Sequence, residues 1–83
     1  SGEYYRKQII DLRARLAKEK ENKKKDNAYY GDMAKKASSP SSKASYKKTK
    51  VDKTASHDRA IESLKKQIER SKESLAREKA RKK

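Results

Sequence analysis

Eighty-three residues allow one small domain, and 46% charged against 30% apolar residues leaves little from which to build a core. The 26 basic and 12 acidic residues give a net charge of +14, with no Phe, Trp or Cys. That excludes a disulfide framework and a thiolate metal site. The longest aliphatic run, Ile9-Ile10, is far too short for a transmembrane helix or a signal-peptide core.

In chain order, the first signal is a pairing of charges. Eight of the twelve acidic residues have Lys or Arg four positions downstream, about twice what composition alone gives: Glu3/Lys7, Asp11/Arg15, Glu19/Lys23, Glu21/Lys25, Asp32/Lys36, Glu62/Lys66, Glu73/Arg77 and Glu78/Lys82. Positions four apart are neighbours on a helix, and acid before base is the favourable order, each pair contributing ~0.2–0.5 kcal/mol. Exposed helix is therefore expected through most of the chain. From Tyr5 an unbroken 4-3 rhythm runs through Ile9, Leu12, Leu16, Glu19, Lys23, Asp26, Tyr30, Met33 and Ala37. This is a coiled-coil stripe, apolar at both ends and charged in the middle.

The stripe stops at Ala37-Ser38-Ser39-Pro40-Ser41-Ser42. Proline suits the first position of a helix with Ser before it as cap. Helix one is expected over about 3–37, a turn over about 38–41 and helix two over about 42–80. In the second half Ile61, Leu64, Ile68, Ser71 and Leu75 repeat the same spacing, whereas Val51, Ala55 and Asp58 run out of phase with it and predict a local change of winding. Folding at Pro40 pairs residues whose numbers sum to about 80. Tyr5 then meets Leu75, Ile9 meets Ser71, Leu12 meets Ile68, Leu16 meets Leu64 and Glu19 meets Ile61. The expected fold is all-α, an antiparallel two-helix hairpin with a coiled-coil seam of Tyr5, Ile9, Leu12, Leu16, Ile61, Leu64, Ile68 and Leu75.

Two lengths of hairpin are compatible with this pattern. Gly31 costs ~1 kcal/mol inside a helix relative to Ala or terminates it, and Asp58 can cap a shorter second helix, leaving 31–57 as a disordered Lys/Ser loop. The long hairpin, about 50 Å at 1.5 Å per residue, is favoured because Tyr29, Tyr30, Met33, Tyr46 and Val51 would otherwise lie unburied. In it Tyr30 continues the seam and Tyr29 covers Val51. A second stripe of Ile10, Ala14 and Ala17 on helix one is suited to docking a second hairpin, giving a four-helix dimer.

No constellation for catalysis, cofactor binding or metal binding is present. The single His57 has no acidic partner at relay spacing and is expected at the surface or seam near Lys23. Glu69/Glu73 lie one turn apart on an exposed face, and Gly2 and Gly31 belong to no phosphate-cradling loop. Charge is unevenly spread. Residues 38–56 carry five bases, one acid and six Ser, whereas both flanks mix their signs. Lys35, Lys36, Lys43, Lys47, Lys48, Lys50 and Lys53 therefore form a basic tip, with Tyr46 available to stack on a base. Without arginine there, nucleic-acid binding would be weak, salt-sensitive and sequence-blind. An anionic membrane fits less well, and plain solvation of a lysine-rich hairpin end accounts for such a tip better than either ligand.

The opening Tyr4-Tyr5-Arg6-Lys7-Gln8-Ile9-Ile10-Asp11-Leu12, followed by a Lys/Ala/Ser-rich helical stretch, resembles the N-terminal coiled-coil segment of bacterial Toll/interleukin-1 receptor-like domain proteins. The resemblance implies an oligomerisation or sensing module for a downstream effector domain. Ser1-Gly2 reads as the remnant of a protease site, and Ala80-Arg81-Lys82-Lys83 ends without a helix stop signal, so a piece of a larger, cytoplasmic protein is expected. Its expected role is a non-enzymatic interaction module that self-associates or binds a partner helix.

Overall fold

The computed structural model describes residues 1–81 and consists of two α-helices, α1 (Gly2–Lys36) and α2 (Pro40–Arg81). They pack against each other as an antiparallel hairpin whose Cα atoms span 67 × 14 × 10 Å. The reversal takes three residues. Ala37 leaves helical geometry at φ −62° and ψ 131°, and Ser39 caps α2. The Ser42 N–H donates to Ser39 Oγ at 3.1 Å, and the Lys43 N–H to the Ser39 carbonyl at 3.0 Å. Pro40 opens α2 at the one place where a missing N–H costs nothing. Helix two thus begins two residues earlier than expected, because proline is its first residue.

All ten positions of the 4-3 stripe from Tyr5 to Ala37, nine on α1 and the last just past its end, are buried or half-buried. Ile9, Leu12, Ile61 and Ile68 are buried, with Leu12 lowest at 4% exposure, and Tyr5, Leu16, Leu64 and Leu75 are half-buried. Among the described residues no side chain is fully enclosed, as expected of one helix pair with no third element over its seam. The register follows the sum near 80. Ser71 Oγ donates to Gln8 Oε1 at 3.1 Å, Lys23 Nζ to Asp58 Oδ1 at 2.6 Å, and Thr54 Oγ1 to Asn27 Oδ1 at 2.7 Å.

Upstream of Ile61 the sequence reading is corrected. The rhythm does not slip there but continues through His57, Thr54 and Lys50, all half-buried, while Val51, Ala55 and Asp58 lie outside it. The opposing positions on α1 are Glu19, Lys23, Asp26 and Asn27, and polar groups held there gain more from His and Thr than from Val and Ala. Nor does Tyr29 cover Val51, since the two are 56% and 67% exposed. Tyr29 packs edge-on to Tyr30 instead, with ring centroids 5.0 Å apart.

Gly31 does not end α1, and no loop spans 31–57. Gly31 faces α2, where an added Cβ would stand 3.5 Å from Lys50 Nζ, the movable end of a long side chain. The last two turns of α1 therefore approach α2 through small residues, with Gly31 half-buried and Ala34 buried, and Ala37 just past the helix end is half-buried.

Gly31→Ala is expected to stabilise the hairpin by up to about 1 kcal/mol, because the helix penalty is removed and the new methyl meets only ordinary contact. Leu12→Ala should cost about 2 kcal/mol, at the low end for core leucines because the seam is open to relaxation. Urea titration followed by circular dichroism measures both. The pair Leu12→Asp and Ile68→Asp should abolish cooperative melting, and a retained transition would refute this seam.

Candidate functional site

Three regions of the hairpin carry functional groups: the polar middle of the seam, the lysine tip and the outer face of α1. In the middle, Glu19 and Asp26 stand seven residues apart on α1, two turns along one face. Between them His57 projects from α2. Its Nδ1 lies 2.5 Å from Glu19 Oε1 and its Nε2 2.6 Å from Asp26 Oδ2. Both ring nitrogens face carboxylate oxygens, which only accept, so the arrangement is the one an imidazolium makes, with both nitrogens donating. The cluster is shielded, with the His57 side chain 15% exposed and that of Glu19 24%. Lys23, between the two acids on α1, reaches Asp58 beside His57. Three carboxylates thus surround two cations.

This clasp is the group that sequence reasoning missed. The acidic partners of His57 stand 38 and 31 residues away in sequence, and only the fold unites them. The signal available beforehand was the register itself, since numbers summing to about 80 put position 57 opposite 23, between Glu19 and Asp26. The carboxylates touch the ring directly and leave no space between them for an ion. Among the described residues no group of three or more His, Cys, Asp or Glu side chains is placed to hold a metal.

At the tip, Lys35, Lys36, Lys43, Lys47, Lys48 and Lys53 are exposed, whereas Lys50 is half-buried over Gly31. Lys36 is engaged by Asp32 at 2.9 Å, and that hydrogen bond raises its pKa above the ordinary 10.5. Lys43, Lys47, Lys48 and Lys53 make no ion pair among the described residues. Beside them Val51 and Ala55 lie in a shallow groove flanked by Lys47, Lys50, Thr54 and Asp58.

On the outer face of α1, Ile10 is 67% exposed, in line with exposed Ala14 and Ala17. A second shallow groove leads from Ala14 past Arg15, Lys18 and Glu19 to Leu64 of α2. Of the expected charge pairs, Glu3/Lys7, Asp11/Arg15, Glu21/Lys25 and Asp32/Lys36 close within α1. Glu19 and Lys23 instead turn across to α2, and Glu78/Lys82 ends on a residue outside the described range. Among the described residues no helix is long and apolar enough to cross a membrane.

Comparison with known proteins finds no matching family model, no matching curated protein and no matching solved structure.

The hydrogen bond to Glu19, and then that to Asp26, raises the pKa of His57 above its ordinary 6.5, against the opposing effect of desolvation. The folded chain therefore holds this proton more tightly than the unfolded chain. The resulting stabilisation is complete below the unfolded value and is lost as pH rises through the folded one. The melting temperature should fall as pH is raised from about 6 to about 9, and His57→Gln should flatten that slope. Thermal melts across this range, followed by circular dichroism, measure it.

Proposed function

We propose that this chain is a non-enzymatic helical-hairpin module that self-associates through the outer face of α1. The observation that supports this reading is what remains uncovered after the hairpin has formed. Ile10 is 67% exposed and stands in line with Ala14 and Ala17 at coiled-coil spacing. Small residues let a second backbone approach closely, and an isoleucine among them supplies apolar area. The seam adds a second reason, because a hairpin with no fully enclosed side chain among its described residues gains from further packing. The sequence resemblance to the coiled-coil segments that precede Toll/interleukin-1 receptor-like domains agrees with a role in clustering a larger intracellular protein.

Sedimentation equilibrium tests this reading. The chain should form a reversible dimer, and Ile10→Asp should weaken it by at least about tenfold while leaving the helicity and melting of the dilute, monomeric hairpin unchanged. Dimerisation indifferent to Ile10→Asp would move the interface elsewhere, and a monomer throughout would remove self-association.

A second reading, binding of a polyanion such as nucleic acid, is favoured by one observation: Lys43, Lys47, Lys48 and Lys53 are exposed without acidic partners among the described residues. Fluorescence anisotropy with labelled DNA and RNA should then show micromolar binding that weakens steeply from about 50 to about 200 mM salt. Changing Lys43, Lys47, Lys48 and Lys50 to Ser should abolish it. Equal binding by that variant would mark the tip as incidental surface.

A further inference from the structure

The outer face of α1 is longer than its apolar part. Continuing the 4-3 rhythm of Ile10, Ala14 and Ala17 in both directions gives Glu3, Lys7, Ile10, Ala14, Ala17, Glu21 and Lys24, all exposed. At 100° per residue this row lies about 160° around the helix from the seam. Reversed, the same row reads Lys, Glu, Ala, Ala, Ile, Lys, Glu. Laid antiparallel on itself, it sets Glu3 against Lys24, Lys7 against Glu21, Ile10 against Ala17 and Ala14 against Ala14. Every charge meets its opposite, and the one large apolar side chain meets a small one.

We propose that the occupant of this face is a second copy of the chain, related by a two-fold axis beside Ala14, with residue numbers across the interface summing to about 28. This rests on the self-association reading above and adds its geometry. An isologous interface must be self-complementary about its axis, and this row is. Because the row lies opposite the seam, the four helices form a flat layer in the order α2, α1, α1, α2. A compact four-helix bundle would need the two faces of α1 to stand closer to a right angle.

The register also answers the objection that chains of net charge +14 repel. With the axis at residue 14, only about the first 26 residues of each α1 overlap. Each tip extends beyond the other copy, and the two ends of α1 at Lys36 stand ~66 Å apart, many Debye lengths of ~8 Å at physiological salt. The most basic segments are thus placed at opposite poles. Along the flanks, Asp11 of one copy comes level with Lys18 of the other, a favourable pair. On the opposite flank Arg13 comes level with Arg13, and Arg6 with Lys20 on either side of it, like-charge pairs whose cost salt screens at an exposed rim.

The test exploits the absence of cysteine in the native chain. Ala14→Cys should oxidise to a covalent dimer, because the axis brings the two positions within reach of a disulfide, and Ser63→Cys on the outer face of α2 should not. Lys7→Glu and Glu21→Lys each place like charges at both ends of the interface and should weaken the homodimer by about tenfold. Mixed in equal amounts, these two variants should form a heterodimer with affinity close to that of the native chain. The mixture controls for pairs within α1, since each variant keeps its own internal losses whatever its partner. A dimer that neither cross-links in the Ala14→Cys variant nor recovers in the mixture overturns this register while leaving self-association standing. A monomer in every experiment overturns both.

Discussion

The register of the hairpin depends on one half-buried ion cluster, His57 held between Glu19 and Asp26. Apolar layers alone discriminate poorly between registers, because a slip of one heptad still sets leucines and isoleucines against one another. The same slip would move His57 opposite Leu16 or Tyr30 and strip Glu19 and Asp26 of their partner. Left unpaired, these half-buried groups would cost less than the ~1–3 kcal/mol of a fully buried polar group, because water still reaches them, but the cost falls on every slipped register. A polar residue inside a coiled-coil seam commonly fixes alignment at some expense of stability, and here three such positions act together. The three-residue turn capped by Ser39 sets the same alignment from the other end.

How much of this was legible varies with how local the information was. The capped proline at position 40 and the stripe from Tyr5 to Ala37 are written in neighbouring residues, and the fold follows from them. The sum near 80 came from aligning two aliphatic clusters, and Gln8/Ser71, Lys23/Asp58 and Asn27/Thr54 carry it into the polar half. The errors arose where side-chain type was weighed above phase. Val51 and Ala55 look like core residues, yet the rhythm through Thr54 and His57 takes precedence because charged groups on α1 face that stretch. Ala34 and Gly31 were illegible for the opposite reason. Their burial reflects how closely two backbones converge near a turn, which no single-helix periodicity reports.

The distribution of charge follows from the same packing. Acids are the minority, yet Glu19 and Asp26 are committed to the seam and Asp58 to its edge, around His57 and Lys23. Others are spent within α1 on Lys7, Arg15, Lys25 and Lys36, where exposed pairs contribute only a few tenths of a kcal/mol each. Most lysines of the tip are left without acids, so its positive potential results from where acids are needed elsewhere. Its basic character and the clasp are then two outcomes of one allocation, and the tip's charge alone is weak evidence for a ligand.

The two long helices consequently differ in kind. α2 has one committed side, the seam, and its remaining surface is polar or charged apart from scattered alanines and the small patch at Val51. α1 has two. Adjacent Ile9 and Ile10 show this most directly, since one is 7% exposed inside the seam and the other 67% exposed on the outer row. An isolated hairpin has no structural need for the second isoleucine, and an exposed one adds a liability to associate. Its cost is understandable if the row it belongs to is itself an interface. The clasp and that row occupy different sides of α1, so protonation of His57 acts on the hairpin's own closure. It reaches association only through the rigidity of α1 that both faces share.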